Sequence, residues 1–106
     1  MNAHELGEER SIAMHRAVAD RLRLHPELLD AARTRVQRWL ADGTVHPRYA
    51  AAWKELLELP LDQLTAFLTD RSEQARTLRS TSPFAGVLDP RERWRIHREV
   101  GRTSGR

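Results

Sequence analysis

The sequence predicts an all-α protein: a compact bundle of five to six short helices with a flexible basic C-terminal tail. Three observations support this fold class. Apolar residues recur at intervals of three and four along most of the chain, as they do on one face of a helix. Prolines at positions 26, 47, 60 and 90 divide this pattern into segments, and Pro favours the first position of a helix. No segment alternates apolar and polar residues as a half-buried strand does.

The chain has 106 residues, which is the size of one domain. We expect a flexible N-terminus over residues 1–9, a single helical domain over 10–100 and a disordered tail over 101–106. The sequence has no Cys, which excludes disulfides and suits a reducing cytoplasm. Its longest apolar run, from Tyr49 to Trp53, is far shorter than a membrane span. We therefore expect a soluble cytoplasmic protein without a membrane partner.

The first three helices have clear apolar stripes. The first stripe begins after residue 9 and includes His15, which a packed core histidine explains better than a functional role. The second helix begins at Pro26 and ends at Gly43, where Gly can adopt positive φ. The third begins at Pro47. The stripes are Ile12, His15, Ala19 and Leu22; then Leu29, Ala32, Val36, Trp39 and Leu40; then Tyr49, Ala52, Trp53, Leu56 and Leu57.

Three shorter helices follow. The fourth begins after Pro60, and the fifth is predicted from Arg71 to about Ser80 because residues 70–73 have the spacing of a capping box. The sixth follows Asp89 and Pro90, which can serve as N-cap and first helical residue. The apolar residues are Leu61, Leu64, Phe67 and Leu68 in the fourth; Ala75 and Leu78 in the fifth; and Trp94, Ile96, His97 and Val100 in the sixth.

The connector before the sixth helix, residues 82–88, is neither periodic nor polar. It reads Ser-Pro-Phe-Ala-Gly-Val-Leu, so three bulky apolar side chains crowd a short segment. Pro83 disfavours helix at Ser82, and Gly86 permits a tight bend. Two interpretations remain open. Either the connector packs against the hydrophobic core, or it is an exposed segment that binds another protein.

Charge is distributed unevenly. Residues 91–106 contain six Arg and two Glu, a net charge of +4, whereas residues 1–90 have a net charge of −1. A basic C-terminal end can meet nucleic acid or an acidic surface on a protein. For nucleic acid, the residues that could hold phosphates are Arg91, Arg95, Arg98 and Arg102.

No catalytic constellation is evident, so we expect no enzymatic activity and no cofactor. The five His lie at positions 4, 15, 25, 46 and 97, and no pair has the four-residue spacing of a helical metal site, so none is predicted. Arg10 with His15, and Arg91 with His97, match the spacing found in helical ribonucleases of the HEPN type. In a chain this rich in Arg, about two such matches are expected by chance. A ribonuclease is therefore the least favoured function.

Several motifs together resemble a family of small bacterial antitoxin-like proteins. The motifs are Arg10-Ser-Ile-Ala-Met-His15, Trp39 with Ala41-Asp-Gly43, Trp53, and Leu78 to Leu88 followed by Glu92-Arg-Trp94. The most specific part is Ser-Pro-Phe-Ala-Gly-Val-Leu with the following Glu-Arg-Trp. Such proteins resemble the small partner encoded beside a toxin, often a nucleotidyltransferase of the AbiEii type. The resemblance implies binding and neutralisation of a cognate toxin enzyme, and it assigns no catalytic residue.

An inhibitor of this kind needs apolar anchors and charges that match its partner. Phe84 and Trp94 are the predicted anchors. Arginines are the predicted charged contacts, because nucleotidyl transfer sites are acidic where they hold metal ions. The predicted partner-binding residues are Ser82, Pro83, Phe84, Arg91, Arg93, Trp94 and Arg95. The alternative function is a regulator that binds nucleic acid through the basic sixth helix. The sequence does not identify the toxin or the oligomeric state.

Overall fold

Six α-helices make up the fold, and the predicted all-α class is confirmed. The computed structural model describes residues 1–104, which contain no strand. The helices are α1 (Ala3–Leu24), α2 (Leu29–Asp42), α3 (Pro47–Leu56), α4 (Leu61–Leu68), α5 (Glu73–Arg79) and α6 (Pro90–Ser104). A 3₁₀ turn, Pro26–Leu28, joins α1 to α2.

The longest helix, α1, is the one against which most of the others pack. It contacts α4, α5 and α6, while α2 and α3 pack on each other. Its buried side chains are Ile12, His15, Val18, Ala19 and Leu22. These residues lie at helical spacing on one face, as the apolar periodicity predicted.

Local capping sets most helix boundaries. Gly43 ends α2 with a φ of 71°, which is a left-handed conformation that Gly adopts without steric cost. The Asp89 carboxylate accepts a hydrogen bond from the Glu92 N–H at 2.8 Å, so it caps α6 as predicted. The fifth helix begins at Glu73 rather than Arg71, because Ser72 is the N-cap and its hydroxyl accepts from the Ala75 N–H at 3.2 Å.

The prediction of a flexible N-terminus over residues 1–9 is wrong, since α1 begins at Ala3. The side chain of Asn2 caps the helix by accepting from the Glu5 N–H at 2.8 Å. Glu8 and Glu9 then form ion pairs with Arg76 and Arg71 near α5. The pairing residues are distant in the sequence, so no local pattern indicated that this turn is held in place.

The prediction that Gly101 ends the sixth helix is also wrong, because α6 continues to Ser104. Residues 102–104 are therefore helical, and the rest of the predicted tail, residues 105–106, lies outside the described residues. A Cβ atom at Gly101 would lie 2.6 Å from Nη2 of Arg10. The glycine thus leaves room for Arg10, whose Nε donates to the His97 carbonyl at 3.1 Å.

The connector of residues 82–88 is pinned to the core. Phe84 is 4% exposed and meets the fully buried Trp53 edge to face, with ring centroids 5.8 Å apart. Pro83 and Leu88 are buried as well. The hypothesis that Phe84 anchors a partner is therefore wrong for the folded chain, because the ring already fills the space beside Trp53.

Within residues 1–104, no helix has the length and apolar content that would allow it to cross a membrane.

Replacing Phe84 by Ala should lower the free energy of unfolding by about 3–5 kcal/mol, because it removes a buried aromatic ring and leaves a cavity. Replacing Trp94, whose side chain is 61% exposed, should change it by only about 0.5 kcal/mol. Chemical denaturation monitored by far-ultraviolet circular dichroism measures both values. Equal losses for Phe84→Ala and Trp94→Ala would show that the burial pattern described here is incorrect.

Candidate functional site

The outer face of α6 presents an exposed tryptophan among arginines. Trp94 had been predicted on the apolar side of this helix, and that prediction is wrong: the side chain is 61% exposed. Ile96 and Val100, four residues apart, are half-buried on the helix that packs along α1. Trp94 lies two residues from Ile96, about 200° around the helix, and therefore points away from α1. Its ring stacks on that of His97, with centroids 5.7 Å apart and planes 12° apart.

Four arginines share this surface. Arg91, Arg95, Arg98 and Arg102 follow one another at intervals of four, three and four residues, a spacing that puts them along one side of a helix. All four are exposed. We call the surface formed by Arg91, Trp94, Arg95, Arg98 and Arg102 the basic face.

Glu92, which lies on the same helix, does not neutralise the charge of the basic face. Glu92 binds Arg21 of α1 instead, through contacts of 2.8 and 2.9 Å between one guanidinium nitrogen and both carboxylate oxygens. The distance from its Oε2 to Nη2 of Arg95 is 4.0 Å, which is long for an ion pair. Among the described residues, no ion pair involves Arg91, Arg98 or Arg102. The outer side of α6 is therefore a positively charged surface.

The structure divides the predicted partner-binding residues into two groups. Arg91, Arg93, Trp94 and Arg95 are exposed on α6. Pro83 and Phe84 are buried, and Ser82 is half-buried. The connector and the start of α6 thus do not form one continuous exposed patch. The anchor that remains at the surface is Trp94.

A second arrangement, which the sequence did not reveal, lies between α1 and the connector. His15 is 7% exposed, and its Nδ1 lies 2.8 Å from the carbonyl oxygen of Ser11. A carbonyl can only accept, so Nδ1 carries the proton and Nε2 is an acceptor in the neutral ring. The Ser82 hydroxyl lies 2.9 Å from Nε2 and donates to it. The backbone N–H of Phe84 in turn donates to the Ser82 oxygen at 3.3 Å.

Burial sets the charge of His15. Desolvation lowers the pKa of its imidazole below the ordinary value of 6.5, the hydrogen bond with the Ser11 carbonyl opposes that change, and the positive charge of Arg79 adds to it. The ring is therefore neutral at neutral pH and keeps the acceptor that Ser82 uses. His15 and Ser82 are 67 positions apart, which is why sequence spacing gave no indication of the pair.

Arg79 is a buried charge beside this pair. It is 4% exposed, and its Nη1 donates to the carbonyls of Leu68 and Asp70 at 3.2 and 2.6 Å. It therefore caps the C-terminal end of α4, where unpaired carbonyls favour a cation. Its Nε and Nη2 are buried without a hydrogen-bond partner within residues 1–104. Burial lowers the pKa of this guanidinium, and the carboxylates of Glu8 and Asp70 oppose the change.

A cleft of about 340 Å³ lies beside the Ser82–His15 pair. Its polar lining comes from α1, from the end of α5 and the residues that follow it, and from α6. The polar side chains are Ser11, His15, Arg79, Ser80, Ser82 and Arg93. Both charged groups among them are cations, so the cleft favours an anionic ligand.

Arg10 and His15, one of the two pairs with HEPN-type spacing, each bind other groups. Of the HEPN-type pairs, Arg10 donates to the backbone of His97 rather than acting beside His15, which binds Ser11 and Ser82. Among the described residues, no three His, Asp or Glu side chains converge closely enough to hold a metal ion.

Searches against protein-family models, curated proteins and solved structures find no match to this chain. The resemblance to antitoxin-like proteins therefore rests on the sequence motifs alone.

His15 should make the stability of the fold depend on pH. Its pKa is lower in the folded state than in the unfolded chain, so the unfolded chain binds a proton that the folded one does not. The stabilisation is present above about pH 6.5 and is lost as pH falls toward the folded pKa.

Melting temperatures measured from pH 7.5 to 5 should fall in the native chain and fall less in His15→Gln. The matched control is His4→Gln, an exposed histidine of the same helix. If His15→Gln retained the full dependence, another group would be responsible.

Proposed function

We propose that this chain is an antitoxin-like protein that binds and neutralises a cognate toxin enzyme in the cytoplasm by protein–protein contact. One observation carries the proposal: Trp94 is a large, exposed aromatic beside the arginines of the basic face. Trp and Arg are the residues most enriched at the energetic centres of protein interfaces. An inhibitor that occludes its target needs such a surface and no chemistry of its own.

The charge of the basic face determines the kind of partner. Helix α6 carries five Arg and two Glu over residues 90–104, and Glu92 is engaged by Arg21. A complementary partner therefore presents an acidic surface. Enzymes that transfer nucleotides are acidic where they hold metal ions, which agrees with the toxin class that the resemblance implies.

The spacing on α6 favours a helix laid into a groove. Arg91, Trp94, Arg98 and Arg102 fall at intervals of three, four and four, so one side of the helix could be buried by a partner along its length. The helix is about 22 Å long at 1.5 Å per residue. It packs mainly on α1, which leaves this side available.

The basic face is also pre-organised. Asp89 caps the first turn, the Arg21–Glu92 pair fixes the beginning of the helix, and Arg10 holds the His97 carbonyl nearer its end. A surface held in this way loses little conformational entropy on binding. The free energy of binding therefore does not have to include the folding of α6.

Nucleic acid is the second candidate ligand, and a specific observation favours it. Arg91, Arg95, Arg98 and Arg102 form one exposed stripe, which could follow phosphates along a backbone. An exposed Trp such as Trp94 can also stack on an unpaired base. A protein partner remains the favoured proposal because of the resemblance.

Trp94→Ala should weaken binding to the protein partner by about 2 kcal/mol or more, roughly thirtyfold, because it removes the proposed anchor. The partner is first recovered by affinity purification from the native cell with the full chain, and dissociation constants are then measured by calorimetry. The control is Leu40→Ala, which alters an apolar side chain that is 42% exposed on α2. Unchanged affinity of a folded Trp94→Ala variant would remove α6 from the interface, and failure of the partner to lose activity in the complex would remove the inhibitory role.

Generic duplex DNA should bind weakly at physiological salt if the basic face serves a protein partner. Four phosphate contacts by the arginine stripe would instead give a slope of about −3.6 for log affinity against log salt. Fluorescence anisotropy from 50 to 300 mM salt distinguishes the two, for DNA and for single-stranded RNA. Tight binding with a steep slope that disappears when Arg91, Arg95, Arg98 and Arg102 are replaced by Gln would establish the nucleic-acid alternative.

A further inference from the structure

The Ser82–His15 pair has the arrangement of an activated nucleophile. The Ser82 hydroxyl donates to Nε2 of His15 at 2.9 Å, and the Ser11 carbonyl holds the proton of Nδ1 on the opposite side of the ring. A hydroxyl, an imidazole that can take its proton, and a third group that fixes the imidazole tautomer are the parts of nucleophilic catalysis by serine. Here the orienting group is a backbone carbonyl.

The burial of His15 and the position of Ser82 beside the cleft both suit this role. His15 is 93% buried and neutral, so Nε2 is a free acceptor for the serine proton. Ser82 is half-buried and lines the cleft of about 340 Å³. This volume lies within the range of about 300–1,000 Å³ that is typical of small-molecule sites. A ligand in the cleft would therefore lie beside the hydroxyl.

The positive charges in the cleft favour a negatively charged ligand. Arg79 and Arg93 line it together with Ser82 and His15, and no carboxylate within residues 1–104 does. Arg93 is exposed, whereas the two free nitrogens of Arg79 are buried and act through their charge. A negatively charged group on the substrate would be attracted by both.

We propose that Ser82 is a nucleophile with His15 as its general base, and that the site accepts the acyl group of a small ester carrying a negative charge. This activity is separate from the binding function assigned to α6. It uses the cleft between α1 and the connector rather than the basic face.

The reaction is an acyl transfer. Ser82 Oγ forms a bond to the ester carbonyl carbon while its proton moves to His15 Nε2. The bond from that carbon to the alcohol oxygen then breaks, and the departing oxygen takes the proton from Nε2. Water then releases the acyl group: its oxygen bonds to the carbonyl carbon while one proton passes to His15 Nε2. The bond from that carbon to Ser82 Oγ breaks, Oγ takes the proton from Nε2, and the acid leaves.

The test is covalent labelling of the full chain by a fluorophosphonate, followed by intact mass and peptide mapping. Ser82 Oγ bonds to phosphorus, the P–F bond breaks, and the proton leaves with fluoride through His15. We expect one adduct, on Ser82, that is lost when the protein is unfolded in urea. His15→Gln should slow labelling at least about 100-fold, the lower range for a general base. His4→Gln, which alters an exposed histidine of the same helix that does not line the cleft, should label at the native rate.

The substrate class is tested with two activated esters, 4-nitrophenyl benzoate and the singly charged mono-4-nitrophenyl terephthalate, whose carboxylate cannot reach its own ester carbonyl, and the rates without protein are subtracted. Release of nitrophenolate should be faster from the charged ester, and Arg93→Gln should lower the ratio of the two rates. Circular dichroism confirms that each variant is folded. The proposal is overturned if the folded native chain carries no adduct on Ser82, or if a folded His15→Gln variant labels at the native rate. Equal rates for the two esters would overturn the assigned charge of the substrate.

Discussion

The hydrogen bond from the buried Trp53 indole to the Leu78 carbonyl, 3.1 Å long, is the contact on which much of this small fold depends. An indole N–H removed from water needs a partner, and this one lies at the end of α5. The bond therefore ties α3 to α5, and the Trp53 ring supplies the surface on which Phe84 packs edge to face. Because the connector is pinned there, with Leu88 also buried, the core fixes the position on the fold from which α6 starts, while the local Asp89 cap sets its first residue.

Two buried polar side chains secure the same region. Arg79 binds the carbonyls at the end of α4, and His15 joins the middle of α1 to Ser82. Burial of a cation or an imidazole is costly unless its hydrogen bonds are met. Arg79 meets only part of this requirement, since Nε and Nη2 have no partner within residues 1–104. The fold therefore tolerates an incompletely paired charge next to the cleft, and that charge gives the cleft its preference for anions.

The positions of the two proposed sites depend on how α6 packs against α1. Its contacts with α1 combine apolar packing by Ile96 with the Arg21–Glu92 pair and the close approach of Arg10 to Gly101. Since Glu92 turns toward α1, the opposite side keeps its arginines and Trp94 exposed. Arg93 lines the cleft, next in sequence to Trp94 on the basic face. The binding surface and the Ser82–His15 pair are thus distinct but adjacent parts of one assembly.

Local rules within the sequence determined the helical class and most boundaries, because Pro47 and Pro90, Gly43 and the Asp89 cap act on the backbone within one turn of themselves. The buried stripes of α1 and α2 followed in the same way, since side chains three and four apart share a helix face. What the sequence could not determine depended on partners far along the chain. Glu8 and Glu9 hold the first turns of α1 through Arg76 of α5 and the preceding Arg71. Helix α6 continues past Gly101, where Arg10 lies in the space that a side chain would take. Only the tertiary structure decided that Phe84 is buried and Trp94 exposed, and that His15 meets Ser82: each outcome depends on which surface packs against which, a property that apolarity and spacing alone do not specify.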